Sequence, residues 1–307
     1  MNTSIRATVP GNLMLMGEHA VLHGKQALAC AVTDSMRVIL KPRTDTRIRI
    51  FSDLGECETE VSRIHIVSPF RFVLTGVAHF RDRLPSGFDL HIESDFSDDV
   101  GYGSSAAVPL GTQAVLSAWM GEPADPDTLF QKSLAVVRAV QGRGSGADVA
   151  ASAFGGMVAY RMEPVTIEPL RRTHPITVVY SGYKKPTVQV IEQVESSRAR
   201  HPALFDGLFD LIDAAAREAV DAVRREDWAA MGRLMNIQQG FMEALGVADR
   251  TLSRMVYTLR EQPGIQGAKI SGAGLGDCVV GLGRFTNPDY PYQTMNTNMN
   301  EAGLRID

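Results

Sequence analysis

The clearest chemical signal in the chain is a glycine-serine turn that runs straight into an apolar helical stretch, Val100 to Trp119, VGYGSSAAVPLGTQAVLSAW. Gly101 and Gly103 permit a turn that a Cβ would obstruct, and Ser104 or Ser105 can cap the helix that follows. Unpaired N–H groups at a helix start together carry about half a positive charge, so such a turn holds phosphate without many lysines. The spacing is neither a Walker motif nor a full GxGxxG fingerprint. Taken alone, the turn is equally well read as a loop capping an ordinary core helix.

Asp148 lies among small residues, Gly144-Ser145-Gly146-Ala147, that would let a substrate come close. An aspartate there can orient or deprotonate a hydroxyl, which is nearly all that phosphoryl transfer asks of a side chain. It can also simply cap the helix of Val149 to Ala153. Glu18 and His19 sit on a second glycine turn, where a carboxylate and an imidazole can hydrogen-bond a polyol or hydroxy-acid. Tyr183, Lys184 and Lys185 follow a predicted strand on a loop stiffened by Pro186. A lysine there suits a carboxylate or phosphate, or is merely exposed.

The elements that must position these residues alternate between strand and helix periods. Ser4 to Met16 reads as a strand broken by Pro10 and Gly11, and Ala27 to Val32 is apolar. Arg37 to Leu40, Thr46 to Phe51 and Phe88 to Ile92 alternate like strands. Ser68 to Arg83 reads as a helix with Phe70, Val73, Leu74, Val77 and Phe80 on one side, and Thr128 to Gln141 as another. Strands follow at MVAYR and at Ile176 to Tyr180. From Ala203 to Arg260 the pattern is helical, with Leu234, Ile237, Phe241 and Leu245 expected to face a core. No internal repeat or low-complexity segment is found.

A chain of 307 residues can bury a sizeable core and is expected to form two lobes. The net charge of −4 with no strong basic run argues against nucleic acid or an anionic membrane as partner. Cys30, Cys57 and Cys278 are few and scattered, which points to a reducing compartment rather than a disulfide framework or zinc site. The N-terminal residues lack a signal-peptide pattern, and no apolar run is long enough to span a bilayer. A cytoplasmic protein is the expectation.

Two further glycine clusters flank the central one: VPGNLMLMGEHAVLHGKQALACAV at Val9 to Val32, and AKISGAGLGDCVVGLG at Ala268 to Gly283. In this order the three resemble the motifs of the GHMP kinases, the superfamily of galactokinase, homoserine kinase, mevalonate kinase and phosphomevalonate kinase. The resemblance spans nearly the whole chain. It implies a two-lobed α+β fold, with a ribosomal protein S5 domain 2-like lobe over residues 1–165 and a ferredoxin-like α/β lobe over 166–307. It also implies a kinase that uses ATP and Mg2+ on a small hydroxylated metabolite, and members of the family are often homodimers. Gly101, Gly103, Ser104, Ser105 and Ala106 would cradle the ATP phosphates, with Gly272, Gly274 and Gly276 closing over them. Asp148 matches the family's catalytic aspartate. Glu18, His19, Ser145, Gly146, Tyr183 and Lys184 would meet the substrate.

Among members, GEHAVLHGKQALA and Leu234 to Val247 look like mevalonate kinase, where the Glu-His pair contacts substrate. That implies phosphorylation of the 5-hydroxyl of mevalonate in isoprenoid precursor synthesis. VQGRGSGADVAASAFGG and Gly276-Asp277-Cys278 look instead like phosphomevalonate kinase. The chain departs from the family pattern in three places. Val137 stands where mevalonate kinase has a magnesium-binding glutamate, and an apolar side chain cannot hold a hard cation. Ser105 and Asp99, one of the acidic pair Asp98-Asp99, are therefore the candidate metal ligands, the pair being equally readable as solvated loop charges. Asn12 replaces the lysine of the first motif, and Pro109 falls one turn into the helix after the phosphate loop, where it removes a backbone donor. Asn12 and Val137 together keep a second class open, a nucleotide-binding regulator without transfer activity.

Overall fold

The computed structural model describes residues 4–96, 101–287 and 290–307. The larger of its two sheets is built on β1 (Ile5–Met16) and β2 (Ala27–Pro42), which pair antiparallel over most of their length. Pro10 and Gly11 do not break β1 as the sequence suggests. A register shift between Pro10 and Asn12 absorbs the missing donor, and the strand continues. β2 is likewise one strand of 16 residues, running through the polar Thr33 to Ser35 that separate its two apolar halves. β3 (Arg47–Ser52) and β4 (Gly55–Glu60) form a hairpin, and β5 (Phe88–Ser94) joins β2 antiparallel and β3 parallel. β6 (Met157–Met162) pairs the first half of β2 and carries β7 (Val165–Pro169), while β12 (Arg305–Ile306) returns from the C-terminal end to pair with β1.

Four helices belong to this half. α1 (Arg71–Ala78) is shorter than the predicted helix and is followed by a 3-10 turn at Arg81–Arg83. α2 (Ser104–Trp119) runs unbroken through Pro109 and is buried on nearly all sides, which is why it reads as uniformly apolar rather than amphipathic. α3 (Pro126–Gln141) is capped by Asp125, whose carboxylate accepts from the Thr128 N–H at 2.9 Å. α4 (Ala147–Phe154) packs with α2 against β1 and β2.

The smaller sheet contains β8 (Pro175–Tyr180), β9 (Ile265–Ser271), β10 (Cys278–Gly283) and β11 (Thr294–Asn298), all antiparallel, in the order β11-β8-β10-β9. Numbered within the lobe this is 4-1-3-2, the ferredoxin-like order. Its helices are α5 (Thr187–Arg200), α6 (Pro202–Arg224), α7 (Trp228–Ala244) and α8 (Arg250–Arg260). The continuous helical pattern from Ala203 to Arg260 thus divides in three. Asp227 and Asp249 mark the breaks, each accepting the backbone N–H three residues on at 2.9 Å.

β9 is an edge strand, and α7 covers it. Asn236 Oδ1 accepts the Ala268 N–H at 3.0 Å and Gln239 Oε1 the Ile270 N–H at 2.9 Å, so side-chain amides replace the missing strand neighbour. Gly232 lets the helix approach this closely, since a Cβ there would lie 2.3 Å from the Gln266 carbonyl oxygen. The predicted face of α7 is corrected at one position: Leu245 is buried and Leu234 and Phe241 pack against the core, but Ile237 is 50% exposed, and Met235, Gln238, Gln239 and Met242 point inward. The three cysteines form no disulfide among the described residues, and no described helix is long and apolar enough to cross a membrane.

Candidate active site

The turn before α2 folds back over β1. Gly103, not Ser104 or Ser105, is the residue preceding the helix, with φ 70 and no side-chain cap. Its conformation and position both demand glycine, because a Cβ would fall 2.2 Å from the Asn12 side-chain amide. Asn12 is itself buried, accepts no charge and bridges three elements: its N–H donates to the Tyr102 carbonyl at 3.0 Å and its Nδ2 to Ser152 Oγ on α4 at 2.9 Å. Ser152 Oγ in turn donates to the Pro10 carbonyl at 2.8 Å. The neutral residue in the lysine position therefore ties the phosphate-loop candidate to the helix that carries Asp148. Gly103→Ala is expected to cost at least about 2 kcal/mol, from left-handed strain plus overlap with Asn12, read as a lower denaturant midpoint at unchanged m-value.

Three hollows share walls at this turn. One, of about 120 Å³, is walled by Glu18, His19, Ser145, Gly146 and Asp148 with the apolar Val137, Val149 and Ile191. A second, of about 360 Å³, runs past Gly101, Gly103, Ser104, Lys184, Gly272 and Asp277. The third, of about 790 Å³, lies between Phe70, Ile92, Phe96 and the loops at Asp53 and Pro69. Ser105 is on the wall of all three, and Asp148 on the first two. Ala106 reaches the first chamber. The third chamber was not signalled by the sequence, because its apolar walls come from strand and helix positions that read as core.

Asp148 is the second residue of α4, inside the helix, so the capping explanation does not hold; Gly146 precedes the helix instead. Burial pushes its carboxyl up to about 6, with the charges of Glu18 and Asp277 adding to the rise and Lys184 opposing it. Its ionisation is thus poised close to neutrality, as a proton acceptor requires. Lys184 Nζ pairs with Asp277 Oδ2 at 3.0 Å across the second chamber.

Glu18 is almost fully buried, and the partner that permits this is Lys269 on β9, a fully buried lysine whose ammonium donates to Glu18 Oε1. Gln238 Nε2 on α7 donates to the other oxygen at 3.2 Å. Burial lowers the pKa of Lys269, and the Glu18 charge works against that shift. His19 has φ 60, an uncommon conformation for a residue with a Cβ. Its Nε2 donates to the Ala273 carbonyl at 2.9 Å, and burial holds its pKa below the ordinary value. The neutral ring therefore keeps the Nδ1 lone pair as an acceptor.

Not every predicted residue reaches the cavity. Gly272 lines two chambers, but Gly274 is packed against the Val247 carbonyl and Gly276 against Tyr183 and Lys184. Tyr183 is turned away, its hydroxyl given to Asp249, and Lys185 Nζ donates to Gln193 at 2.9 Å. Ser145 lines the first chamber while its hydroxyl accepts the Ala147 N–H at 3.3 Å. Asp98 and Asp99 lie outside the described residues. Among the described residues no group of three or more His, Cys, Asp and Glu side chains is placed to hold a metal. Lys269 and Arg143, which also borders the first chamber, were missed by the sequence reading.

The model of the GHMP kinases N terminal domain matches residues 71–156, and that of the GHMP kinases C terminal matches residues 219–290. The mevalonate kinase of Archaeoglobus fulgidus is 34% identical over 283 residues, covering 92% of this chain and 93% of its own length. Mevalonate kinase of L. major, solved in complex with R-mevalonate, superposes with a TM-score of 0.80 at 21% identity over 96% of both chains. Streptococcus pneumoniae phosphomevalonate kinase, in complex with phosphomevalonate and AMPPNP, gives 0.75 at 18% identity over 92% of both. The two structural likenesses show the fold; the family models and the sequence relative go further, and with the glycine turns and Asp148 meeting at one cleft they establish that this chain belongs to the GHMP kinases, phosphotransferases with an alcohol acceptor.

Proposed function

We propose that this chain is a mevalonate kinase, transferring the γ-phosphoryl group of ATP to the 5-hydroxyl of mevalonate and so serving isoprenoid precursor synthesis. The observation that carries this reading is that Asp148, Glu18 and His19 share one small chamber, and Ser105, Asp148 and Gly272 also line the adjoining hollow. The sequence relative named as a mevalonate kinase supports the choice of acceptor. In this reading the 790 Å³ hollow takes the purine base, the 360 Å³ hollow the phosphates, and the smallest the acceptor.

The acceptor oxygen attacks the γ-phosphorus as the bond to the β-phosphate oxygen breaks, and its proton passes to the Asp148 carboxylate. His19 Nδ1 accepts a second hydrogen bond from the substrate, and the Lys269-bound Glu18 fixes the His19 turn. The N–H groups before Ala106 and the Lys184 ammonium face the phosphate charge. The hydroxyl of Ser105 suits a magnesium ion that arrives with the nucleotide and keeps most of its ligands from phosphate and water, since Val137 offers none. Such an ion would neutralise phosphate charge.

The test offers Mg-ATP with mevalonate and with 5-phosphomevalonate side by side, and locates the new phosphate in each product. Turnover of mevalonate with phosphate on the 5-hydroxyl is expected. Preference for 5-phosphomevalonate would mean that the residues around Asp148 and Gly276-Asp277-Cys278 are the better guide to substrate.

A further inference from the structure

We propose that Arg143 is the anion receptor of the acceptor chamber, binding the substrate carboxylate at the end remote from the hydroxyl beside Asp148. This rests on the hydroxy-acid reading given above. Arg143 lies on the loop between α3 and α4, with Gly142 and Gly144 on either side, and borders the chamber that holds Glu18, His19 and Asp148.

Among the described residues, it is the cation lining the cleft that is left uncommitted. Lys269 is taken by Glu18, Lys184 by Asp277 and Lys185 by Gln193, while the neighbouring Arg138 donates to the Gly144 carbonyl. Arg143 is exposed at the edge of the chamber, and no ion pair or hydrogen bond to another described residue holds its guanidinium. A guanidinium that lines a cavity without a protein partner is available to a ligand, and its planar fork matches a carboxylate with two parallel hydrogen bonds.

Its position also fits the head of the substrate rather than the reacting end. Arg143 lies on the loop before α4, five residues ahead of Asp148, and reaches the chamber from its exposed side, as a receptor for the outer end of a short acceptor should. Between the two, Val137, Val149 and Ile191 give the chamber an apolar wall for the carbon skeleton.

The experiment measures steady-state kinetics of the full chain and of its Arg143→Ala and Arg143→Lys variants. The acceptors are mevalonate, its uncharged carboxamide, 5-phosphomevalonate and galactose, and thermal melts confirm equal folding. Arg143→Ala is expected to raise KM for mevalonate roughly 10- to 100-fold with kcat within about threefold, since the interaction is made equally in ground and transition states. Arg143→Lys should lie between. The wild type should discriminate against the carboxamide by a similar factor, and Arg143→Ala should not. An unchanged KM for mevalonate, or an unchanged acid-to-amide ratio in Arg143→Ala, overturns the proposal while leaving the mevalonate reading intact. If the wild type takes 5-phosphomevalonate instead and Arg143→Ala raises that KM, the mevalonate reading falls and the anion receptor stands, the carboxylate still being its ligand because the phosphate is then the reacting end. Wild-type preference for galactose, unaffected by the substitution, removes both.

Discussion

Asp148→Asn is expected to lower kcat at least about 100-fold while leaving nucleotide affinity nearly unchanged, as loss of a proton acceptor should. The side chain lies on the wall shared by the two smaller chambers, and its pKa of about 6 leaves it mostly ionised at neutral pH yet basic enough to take a proton. Wild-type kcat should therefore fall as pH drops through about 6, and the residual activity of Asp148→Asn should lack that limb. Stability should move the other way. The native carboxyl is raised from 3.8 to about 6, so folding takes up a proton between those values, and stability declines as pH rises through that window. Above it the charge, partly open to the chambers, destabilises the fold by less than the full shift implies, and asparagine avoids that cost. The variant should melt no lower than wild type at pH 8. Near-normal turnover would remove Asp148 from the proton-transfer role, and a marked fall in melting temperature would show that its charge does not destabilise the fold.

Lys269→Met is expected to destabilise the protein by about 3–5 kcal/mol, a large share of the ordinary 5–15 kcal/mol of a folded domain. The substitution leaves Glu18 buried with only the Gln238 amide to answer its charge. Glu18→Gln should do comparable damage, because it strands the ammonium of Lys269 in a site with no solvent exposure. Joining them as Glu18→Gln with Lys269→Met should restore much of the lost stability, since no uncompensated charge then remains. Urea melts of the four proteins close the cycle. Two single variants each within about 1 kcal/mol of wild type would show that the pair is not the interaction joining β9 to the turn after β1. The double variant also separates stability from function: His19 loses the neighbouring carboxylate that fixes its turn, so acceptor KM should remain poor even where folding recovers.

What could be read locally was read well where the signal lay in a short stretch of chain. The glycine-serine turn, the apolar face of α1 and the strands β3, β5 and β8 follow from residue type and period alone, while the cap of α2 falls on Gly103 rather than on either serine. Misreadings came where packing overrides period. Ile237 belongs to an apolar stripe by spacing, yet α7 turns its amides inward because the edge of β9 needs hydrogen-bond partners that an isoleucine cannot supply. Pro10 looked like a strand end, but a local register shift was enough to accommodate it. Asp227 and Asp249 are cap-type residues, but the apolar period continues across both breaks and masks them.

By itself the sequence determined the order of three glycine turns, the aspartate set among small residues, and the absence of a carboxylate at position 137. These depend on which conformations a few consecutive residues allow, so neighbours in the chain suffice to specify them. Tertiary structure alone decided which distant residues share the site. Lys269 reads as an ordinary strand lysine until packing places it against Glu18, 251 positions earlier, and Asn12 reads as a lost cation until Ser152, 140 positions later, takes its amide hydrogen. Burial is what makes such partners obligatory: a charge or amide removed from water must find its counterpart in the fold, and nothing local to either residue says where that counterpart will be.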